Sequence, residues 1–172
     1  MAGFELKTHN LAGAALHPMT PENADALGKA LAAMPPWSVV GLPAEDLTRA
    51  FLRDQPSMHR FEVLASAGEL AGTVTIQSPF LQGPYLKTLA ILPGFQGRGL
   101  GTHILRWMEA EARAEEARQL WVCVSTCNTG ARAFYERFGF EEETVLEKLA
   151  FDHSDELFMR KRLIYDAPLG RQ

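Results

Sequence analysis

The chain has 172 residues, a formal net charge of −4 and a sequence pI of about 5.7. Hydrophobic residues make up 47% of it and charged residues 22%, a composition typical of a globular protein with a sizeable core. The length predicts a single domain over residues 1–172. The acidic balance speaks against nucleic acid as the main partner, because phosphate binding needs a dense basic patch.

Residues 1–19 contain no basic leader followed by a long apolar run, so we expect no signal peptide. No apolar stretch reaches the roughly 18 residues that a membrane-spanning helix needs. The sequence therefore predicts a cytoplasmic protein that makes no contact with a membrane.

Disulfide and metal chemistry are both disfavoured. On one strand, Cys123 and Cys127 would be separated by about 13 Å, at about 3.3 Å per residue. A disulfide needs Cα atoms within about 7 Å. The five histidines are scattered, and no pair has the spacing of metal ligands, so no metal site is expected.

The first sixty residues are predicted to be mainly helical. After a short strand over 13–16, Thr20 and Pro21 form a helix start, with an N-cap hydroxyl followed by a proline at the first helical position. The motif at 34–37, which includes two prolines, ends that helix. A second helix is expected over 44–53.

From residue 61 the pattern changes to strands. Residues 61–66 and 69–77 predict a hairpin, 79–84 a loop and 85–92 an inner strand. The segment 99–118 has one apolar face and predicts a helix, and 120–124 is a short apolar run that suits a buried parallel strand.

The last third predicts one more helix and two closing strands. Asn128 can cap a helix that runs to Arg137 and ends at Gly139. Residues 145–149 and 157–164 are expected to be strands, and the tail 166–172 to be loose. The order of these elements predicts a mixed α/β sheet.

A glycine-rich loop lies between the strand at 85–92 and the helix at 99–118. Its sequence is Gln96-Gly97-Arg98-Gly99-Leu100-Gly101-Thr102. Glycines let a backbone approach a ligand closely, and a helix N-terminus directs free N–H groups and a positive dipole at an anion. The loop therefore predicts a phosphate or pyrophosphate site, to which Arg98 adds charge.

The spacing of the glycines speaks against two nucleotide-binding families. A P-loop needs a lysine and then a serine or threonine after its second glycine, but Leu100 and Gly101 follow Gly99. An NAD-binding turn needs glycines at its first, third and sixth positions, and Thr102 occupies the sixth. A dinucleotide-dependent oxidoreductase is disfavoured on the same ground.

A second motif follows the predicted buried strand, some thirty residues beyond the loop: Asn128-Thr129-Gly130-Ala131-Arg132-Ala133-Phe134-Tyr135-Glu136-Arg137-Phe138-Gly139-Phe140. Phe134 and Phe138 are expected to be core residues of an amphipathic helix. Tyr135 lies one position round the helix and need not point inward with them. Together the two motifs, in this order, resemble the signatures of the GNAT N-acetyltransferase superfamily over residues 61–163.

The resemblance implies an α/β fold of the GNAT type. Such a fold has a central, mostly antiparallel sheet of about seven strands flanked by about four helices, with two splayed parallel strands at its centre. In this chain the two strands would be 85–92 and 120–124. Residues 1–60 would shape the acceptor site, with Trp37 either as a wall of that site or as packing between the two helices.

The resemblance also implies acetyl-coenzyme A as cosubstrate. Backbone groups of Leu89, Ala90 and Ile91 would bind the pantetheine arm, and Asn128 would contact it. Amides of Gln96, Gly97, Arg98, Gly99, Leu100, Gly101 and Thr102 would bind the pyrophosphate.

In the implied reaction a neutral amine attacks the thioester while both substrates are bound. Tyr135 matches the residue that protonates the departing thiolate, so it is expected to contact the cosubstrate and to act as the general acid. The acceptor would be a small-molecule or peptidyl amine, and the acidic composition favours a cationic one. Homodimers are common among such proteins.

The general base is not evident, because neither central strand carries a carboxylate. Glu62, His59, Asp54 and a Ser125 hydroxyl acting through water are the candidates, and solvent could also take the proton. Glu62 could equally be only a solvent-facing strand residue. The missing carboxylate leaves a second hypothesis open, a module that binds coenzyme A for a sensor or assembly role without chemistry.

Overall fold

The structure is a computed structural model that describes residues 3–164. Within those residues the chain forms eight strands and five helices. In chain order they are β1 (His9–Leu11), β2 (Ala14–Pro18), α1 (Pro21–Ala32), α2 (Trp37–Val40), α3 (Ala44–Leu52), β3 (Met58–Ala65), β4 (Leu70–Phe80), β5 (Gly83–Ile91), α4 (Leu100–Ala114), β6 (Gln119–Ser125), α5 (Thr129–Phe138), β7 (Glu141–Phe151) and β8 (Ser154–Arg162).

All eight strands belong to one sheet, in the order β1-β2-β3-β4-β5-β6-β8-β7. The β5–β6 pair is parallel, and the other pairs are antiparallel. The predicted mixed α/β class with a parallel central pair is therefore confirmed. The strand β1 and the one-turn helix α2 are additions to the elements that the sequence predicted.

Helices α1 and α3 cover one face of the sheet. Thr20 caps α1 as predicted, because its hydroxyl oxygen accepts a hydrogen bond of 3.3 Å from the amide of Asn23. The two helices bury a common apolar cluster against the side chain of Ala90 on β5. The buried members from the helices are Ala24, Leu27, Leu31, Leu47 and Phe51.

Helix α4 covers the opposite face, where Ile104, Leu105 and Met108 are fully buried. They pack against sheet residues that include Phe61 and Val74. The predicted helix over 99–118 is too long at its C-terminal end, since α4 ends at Ala114. Glu116 has a left-handed conformation with φ of +56°, which turns the chain back toward β6.

The predicted loop over 79–84 is wrong. β4 continues to Phe80 and β5 begins at Gly83, so only the Leu81–Gln82 turn separates them. The carbonyl oxygen of Leu81 accepts hydrogen bonds from the side chains of Gln119 (2.8 Å) and Trp121 (2.9 Å). Contacts with a distant strand thus keep this segment extended despite its prolines.

β7 is an edge strand that is longer than the predicted 145–149, because it begins at Glu141 and ends at Phe151. Nearly all of its side chains are exposed, and among the described strands it pairs with β8 alone. An edge strand open on both faces tolerates charged residues, so its acidic beginning does not look like a strand in the sequence.

Among residues 3–164, no helix combines the length and the apolar character that crossing a membrane requires. The tail 166–172, predicted to be loose, lies outside the described residues.

Candidate active site

A β-bulge bends β5 where it passes the centre of the sheet. Thr75 of β4 pairs with Thr88, but the next residue, Ile76, pairs with Leu86, so Lys87 is an extra residue in β5. Such a bulge bends its strand and increases the local twist.

Beyond the bulge, β5 separates from β6. The parallel ladder contains only two pairs, Tyr85 with Trp121 and Leu86 with Val122. From Thr88 to Ile91, β5 pairs with β4 on one side and leaves its other edge open. The two central strands therefore splay apart toward their C-terminal ends, as the family resemblance implied.

The open edge of β5 presents backbone groups to the gap between the strands. The amide of Leu92 donates to the carbonyl of Ala71 on the β4 side (2.8 Å). The backbone N–H and C=O groups of successive strand residues point in alternate directions. Those of Ala90 therefore also point toward β4, and those of Leu89 and Ile91 point into the gap. The Ile91 carbonyl accordingly accepts a hydrogen bond of 2.8 Å from the Gln96 side chain.

The glycine loop lies at the mouth of this gap. Gly97 and Gly99 have φ values of +74° and +79°, a conformation that favours glycine. Gly99 is the N-cap residue of α4, and no side chain in the described part of the chain caps the helix. The first amides of α4, from Leu100 to Thr102, are therefore available to an anion at the positive end of the helix dipole.

Two loop side chains hold the loop in shape. The Gln96 amide ties the loop to the end of β5 through Ile91. The guanidinium of Arg98 lies over the ring of Phe95, 5.3 Å from its centroid. Arg98 is exposed and is the one member of the 96–102 segment that does not line the adjoining cavity.

A cavity of about 550 Å³, here called the loop cavity, runs from the glycine loop to the gap between β5 and β6. Its walls include most of the residues predicted to bind the cosubstrate. They are Leu89, Ala90, Ile91, Gln96, Gly97, Gly99, Leu100, Gly101, Thr102, Asn128 and Tyr135.

Asn128 links β6 to α5 beside this cavity. Its side-chain oxygen accepts a hydrogen bond of 3.2 Å from the amide of Ala131, so it caps α5 as predicted. Gly139 ends α5 in a left-handed conformation with φ of +101°.

Tyr135 is the one buried residue of α5, with 7% of its surface exposed, whereas Phe134 and Phe138 are only partly buried. Its ring packs edge-on against Phe140. Burial raises the pKa of its phenol above the ordinary value, so the hydroxyl stays protonated near neutral pH. No residue within 3–164 forms a hydrogen bond with this hydroxyl, which leaves its proton available for donation.

A second cavity of about 930 Å³, here called the cleft cavity, opens on the other side of Tyr135. Trp37, Leu89, Asn128 and Tyr135 line both cavities, so the two spaces meet at Tyr135. The walls of the cleft cavity are mainly apolar and aromatic, with Phe80, Tyr85 and Phe158 among them.

Glu156 on β8 supplies the carboxylate that the two central strands lack. Among the described residues lining the cleft cavity, it is the sole acidic side chain. It pairs with Ser125 of β6, and both side chains lie on the face that carries Tyr85 and Cys123. Burial raises the pKa of the Glu156 carboxyl above its ordinary value, although a hydrogen bond with Ser154 partly opposes this effect.

Hydrogen bonds connect Ser154, a partner of Glu156, to the end of β6. The Ser154 hydroxyl is 2.8 Å from the Ser125 hydroxyl, which in turn lies 3.2 Å from the Cys127 sulfur. Sequence reasoning missed Glu156, because the candidates it considered lay on or near β3 and at the end of β6, and none lay on the closing strand β8. The alternation of Leu157 and Met159, both buried, indicates that Glu156 and Phe158 face the other way.

Of the base candidates named from the sequence, Ser125 alone lines the cleft cavity. The Glu62 carboxylate is buried beneath α1, where it accepts hydrogen bonds from the Thr20 amide (3.1 Å) and hydroxyl (2.9 Å). His59 packs near Phe4, and Asp54 lines neither cavity.

Both cysteines are free thiols, and Cys123 lines the cleft cavity beside Tyr85. Within residues 3–164, no group of three or more histidine, cysteine or acidic side chains is arranged to hold a metal ion.

A sheet opened between two parallel strands, beside a glycine loop and an uncapped helix, has the architecture of an acetyltransferase. Residues 26–140 match the sequence model of the Acetyltransferase (GNAT) family. The chain therefore belongs to the GNAT family, whose members use acetyl-coenzyme A as cosubstrate.

Individual relatives share part of this chain. The ribosomal protein bS18-alanine N-acetyltransferase of Salmonella typhimurium is 31% identical over 97 residues, which cover 55% of this chain and 66% of that protein. The streptothricin acetyltransferase of Streptomyces lavendulae is 31% identical over 81 residues, covering 46% and 43%. The matches thus span less than two thirds of each of these two relatives.

The fold is similar to the crystal structure of the ribosomal-protein-S18-alanine N-acetyltransferase from Escherichia coli. The TM-score is 0.69, with 19% identity, over 92% of this chain and 99% of that one. This likeness supports the fold assignment.

Proposed function

We propose that this protein is an N-acetyltransferase that transfers the acetyl group of acetyl-coenzyme A to a primary amine, by direct attack in a ternary complex. The observation that carries the proposal is the junction of the two cavities at Tyr135, whose hydroxyl is protonated and free of hydrogen bonds to residues 3–164. One cavity takes the cosubstrate and the other the acceptor amine.

Acetyl-coenzyme A would lie in the loop cavity with its pyrophosphate at the glycine loop and its thioester beside Tyr135. Its pyrophosphate binds the amides of Gly97, Gly99 and Leu100 to Thr102, at the positive end of α4. Its pantetheine arm lies along the open edge of β5 and forms hydrogen bonds with the backbone of Leu89 and Ile91, as an added strand would. The thioester then reaches the gap beside Tyr135.

Glu156 is our proposed general base. The amine must be neutral to attack, and a carboxylate in the same cavity can accept its proton, directly or through one water. The raised pKa of Glu156 makes this carboxylate a better proton acceptor than an exposed one. The Ser154 and Ser125 hydroxyls can orient the carboxylate and a bridging water.

The transfer forms a nitrogen–carbon bond and breaks the carbon–sulfur bond of the thioester. The Leu89 amide, which points into the gap, stabilises the negative charge that develops on the carbonyl oxygen. Tyr135 donates its proton to the departing thiolate, whose thiol has a pKa of about 8.5 in the unperturbed state. Proximity of the two bound substrates supplies much of the remaining acceleration.

The acceptor lies on the side of the cleft cavity that is covered by the N-terminal region. Trp37, Val40 and Leu42, from α2 and the turn after it, line that side. Trp37 also packs with the cluster around α1 and α3, so both roles considered from the sequence are compatible. The names of the relatives, an alanine N-acetyltransferase and a streptothricin acetyltransferase, support an amine acceptor without fixing its class.

Thiol release from acetyl-coenzyme A tests the proposal. The purified protein is mixed with acetyl-coenzyme A and a library of small amines, amino acids and short peptides, and free thiol is followed over time. We expect release that depends on an amine, together with an acetylated product detected by mass spectrometry. Tight binding of acetyl-coenzyme A without amine-dependent release would overturn the enzyme assignment in favour of a coenzyme A-binding module.

A further inference from the structure

A third cavity, here called the basic cavity, adjoins the cleft cavity beneath α3. Its volume is about 190 Å³, and its α3 side is lined by Leu47, Ala50 and Phe51. Trp37, Lys87 and Thr88 line both the basic cavity and the cleft cavity. A molecule in the cleft cavity can therefore extend into the basic cavity past the bulge of β5.

Among the described residues that line this small cavity are three cationic side chains, those of Arg53, Arg60 and Lys87, and no carboxylate. The charge of Asp54 is close enough to act on Arg60, but within residues 3–164 no salt bridge engages any of the three cations. Although the net charge of the chain is −4, three cationic side chains without salt bridges lie together beside the proposed acceptor site.

Arg60 is held in position before any ligand binds. Its guanidinium donates hydrogen bonds of 2.8 Å to the carbonyl of Arg53 and to the side-chain oxygen of Gln55. Both acceptors are uncharged, so the cation is fixed but not neutralised. Burial and the nearby charge of Arg53 lower the pKa of Arg60, which means that an anion bound here would relieve an electrostatic cost.

We propose that the acceptor is an amino acid or a close analogue, with its amine at the Tyr135 junction and its carboxylate in the basic cavity. The register of β5 supports this geometry. Leu89, at the junction, and Lys87, at the entrance to the basic cavity, are two residues apart, which corresponds to at most about 7 Å along a strand that bends at Lys87. One small molecule can span that distance. Aromatic walls in the cleft cavity are suited to an apolar side chain.

This inference rests on the proposed acetyltransferase function, and matched acceptors separate the two. The probes are phenylalanine and phenylalaninamide, which differ in the charge of the carboxyl group. We expect a higher kcat/KM for phenylalanine. Because amidation also changes the basicity of the amine, the decisive quantity is the change in the ratio of the two kcat/KM values between wild type and variants.

The variants are Arg60→Gln and Lys87→Gln, each of which removes one charge from the basic cavity. Arg49→Gln is the matched control, because Arg49 is an exposed residue of α3 that pairs with Asp46 outside the cavity. We expect the phenylalanine-to-amide ratio to fall about tenfold in Arg60→Gln, as the loss of a charge-assisted hydrogen bond predicts, and to stay unchanged in Arg49→Gln.

Product binding supplies a readout that does not need turnover. In the presence of coenzyme A, calorimetry should detect tighter binding of N-acetylphenylalanine than of its amide, and the difference should shrink in Arg60→Gln. The inference would be overturned if the phenylalanine-to-amide ratio of kcat/KM were the same in the wild type and both variants, and if N-acetylphenylalanine and its amide bound equally. That result would leave the proposed acetyltransferase function standing. Selective product binding without transfer to any amine would overturn the function and keep the basic cavity as a carboxylate site.

Discussion

The indole of Trp121 stacks on the ring of Phe158, with centroids 4.6 Å apart and planes inclined by 6°. Trp121 also donates a hydrogen bond of 2.9 Å to the carbonyl of Leu81, in the turn between β4 and β5. The Trp121 side chain thus contacts two residues that line the cleft cavity, Phe158 and Leu81. Since Glu156 lies two residues before Phe158 on the same face of β8, the stack also sets the position of the proposed base.

Glu156→Gln should abolish the acid limb of the activity profile. The neutral amide cannot accept a proton, so we expect kcat/KM to fall by about 100-fold at neutral pH, the lower end of the range for general-base catalysis. In the wild type, activity should decline as the pH falls through the raised pKa of this carboxyl. Rates measured at several amine concentrations from about pH 5 to about pH 9, a range of about two units either side of neutrality, would give kcat/KM and reveal both effects.

Glu147→Gln is the control for that variant, because Glu147 is an exposed residue of β7 outside the cleft cavity. It should keep the wild-type profile. Glu156→Gln should also be at least as stable as the wild type at neutral pH. A carboxyl whose pKa is raised by folding adds stability at low pH and loses it as the pH rises through that pKa, so the amide removes a penalty. A destabilised variant with an unchanged pH profile would contradict the assignment.

Tyr135→Phe should lower kcat by about 100-fold while changing the Kd for acetyl-coenzyme A by less than about threefold. The substitution keeps the ring that packs against Phe140 and removes a hydroxyl that has no hydrogen bond within residues 3–164. Because burial raises the pKa of the phenol, we expect no basic limb from Tyr135 below about pH 10, its ordinary pKa. Steady-state kinetics and calorimetric titration would measure the two quantities, and an unchanged kcat would remove Tyr135 from the mechanism.

Gly99→Ala should weaken binding of acetyl-coenzyme A. An alanine at φ of +79° is strained by about 1 kcal/mol, and this strain would distort the loop that we propose binds the pyrophosphate. Gly94→Ala is the matched comparison: its φ is +91°, but Gly94 does not line the loop cavity. Both variants should lose a similar amount of stability in thermal unfolding. Only Gly99→Ala should raise the KM for acetyl-coenzyme A, and equal KM values would argue against the loop as the pyrophosphate site.

Glu62→Gln should affect stability and leave the chemistry alone. The buried carboxylate accepts two hydrogen bonds from Thr20 at the start of α1, and the amide can replace it only in part. We expect a loss of about 1–3 kcal/mol in the free energy of unfolding, measured by urea denaturation. At temperatures where the variant is folded, kcat and its pH dependence should match the wild type. A shifted pH profile would restore Glu62 as a base candidate.

Features carried by neighbouring residues could be predicted from the sequence. The glycine loop combines a turn and a helix start within 96–102, where we propose an anion site, and the Thr20 and Asn128 caps depend on side chains a few residues from the amides that they bind. Tyr135 was identified in the same way, although its burial was not. The sequence suggested that it need not point inward, and it is the most buried residue of α5.

Features that depend on strand pairing could not be predicted. Glu156 meets Ser125 because β8 pairs with β6, and the basic cavity forms because Arg60 on β3 and Thr88 on β5 both pair with Thr75. Nothing local in the segment around Glu156 distinguishes a catalytic carboxylate from an exposed one. The register of a sheet is set by packing over the whole chain, so such groupings become visible only in the folded molecule.

The opening between β5 and β6 depends on the extra residue that Lys87 adds to β5. Without Lys87, Leu86 and Thr88 would pair with Ile76 and Thr75 in a regular ladder, so Leu89 would still face α4 and Ala90 would still face α1. Both cores would survive, but the bend that separates the strands would be lost. Substitutions of Lys87 keep that bend whatever side chain they introduce. A one-residue deletion of Lys87 would therefore leave this protein with an intact fold and without a binding cleft.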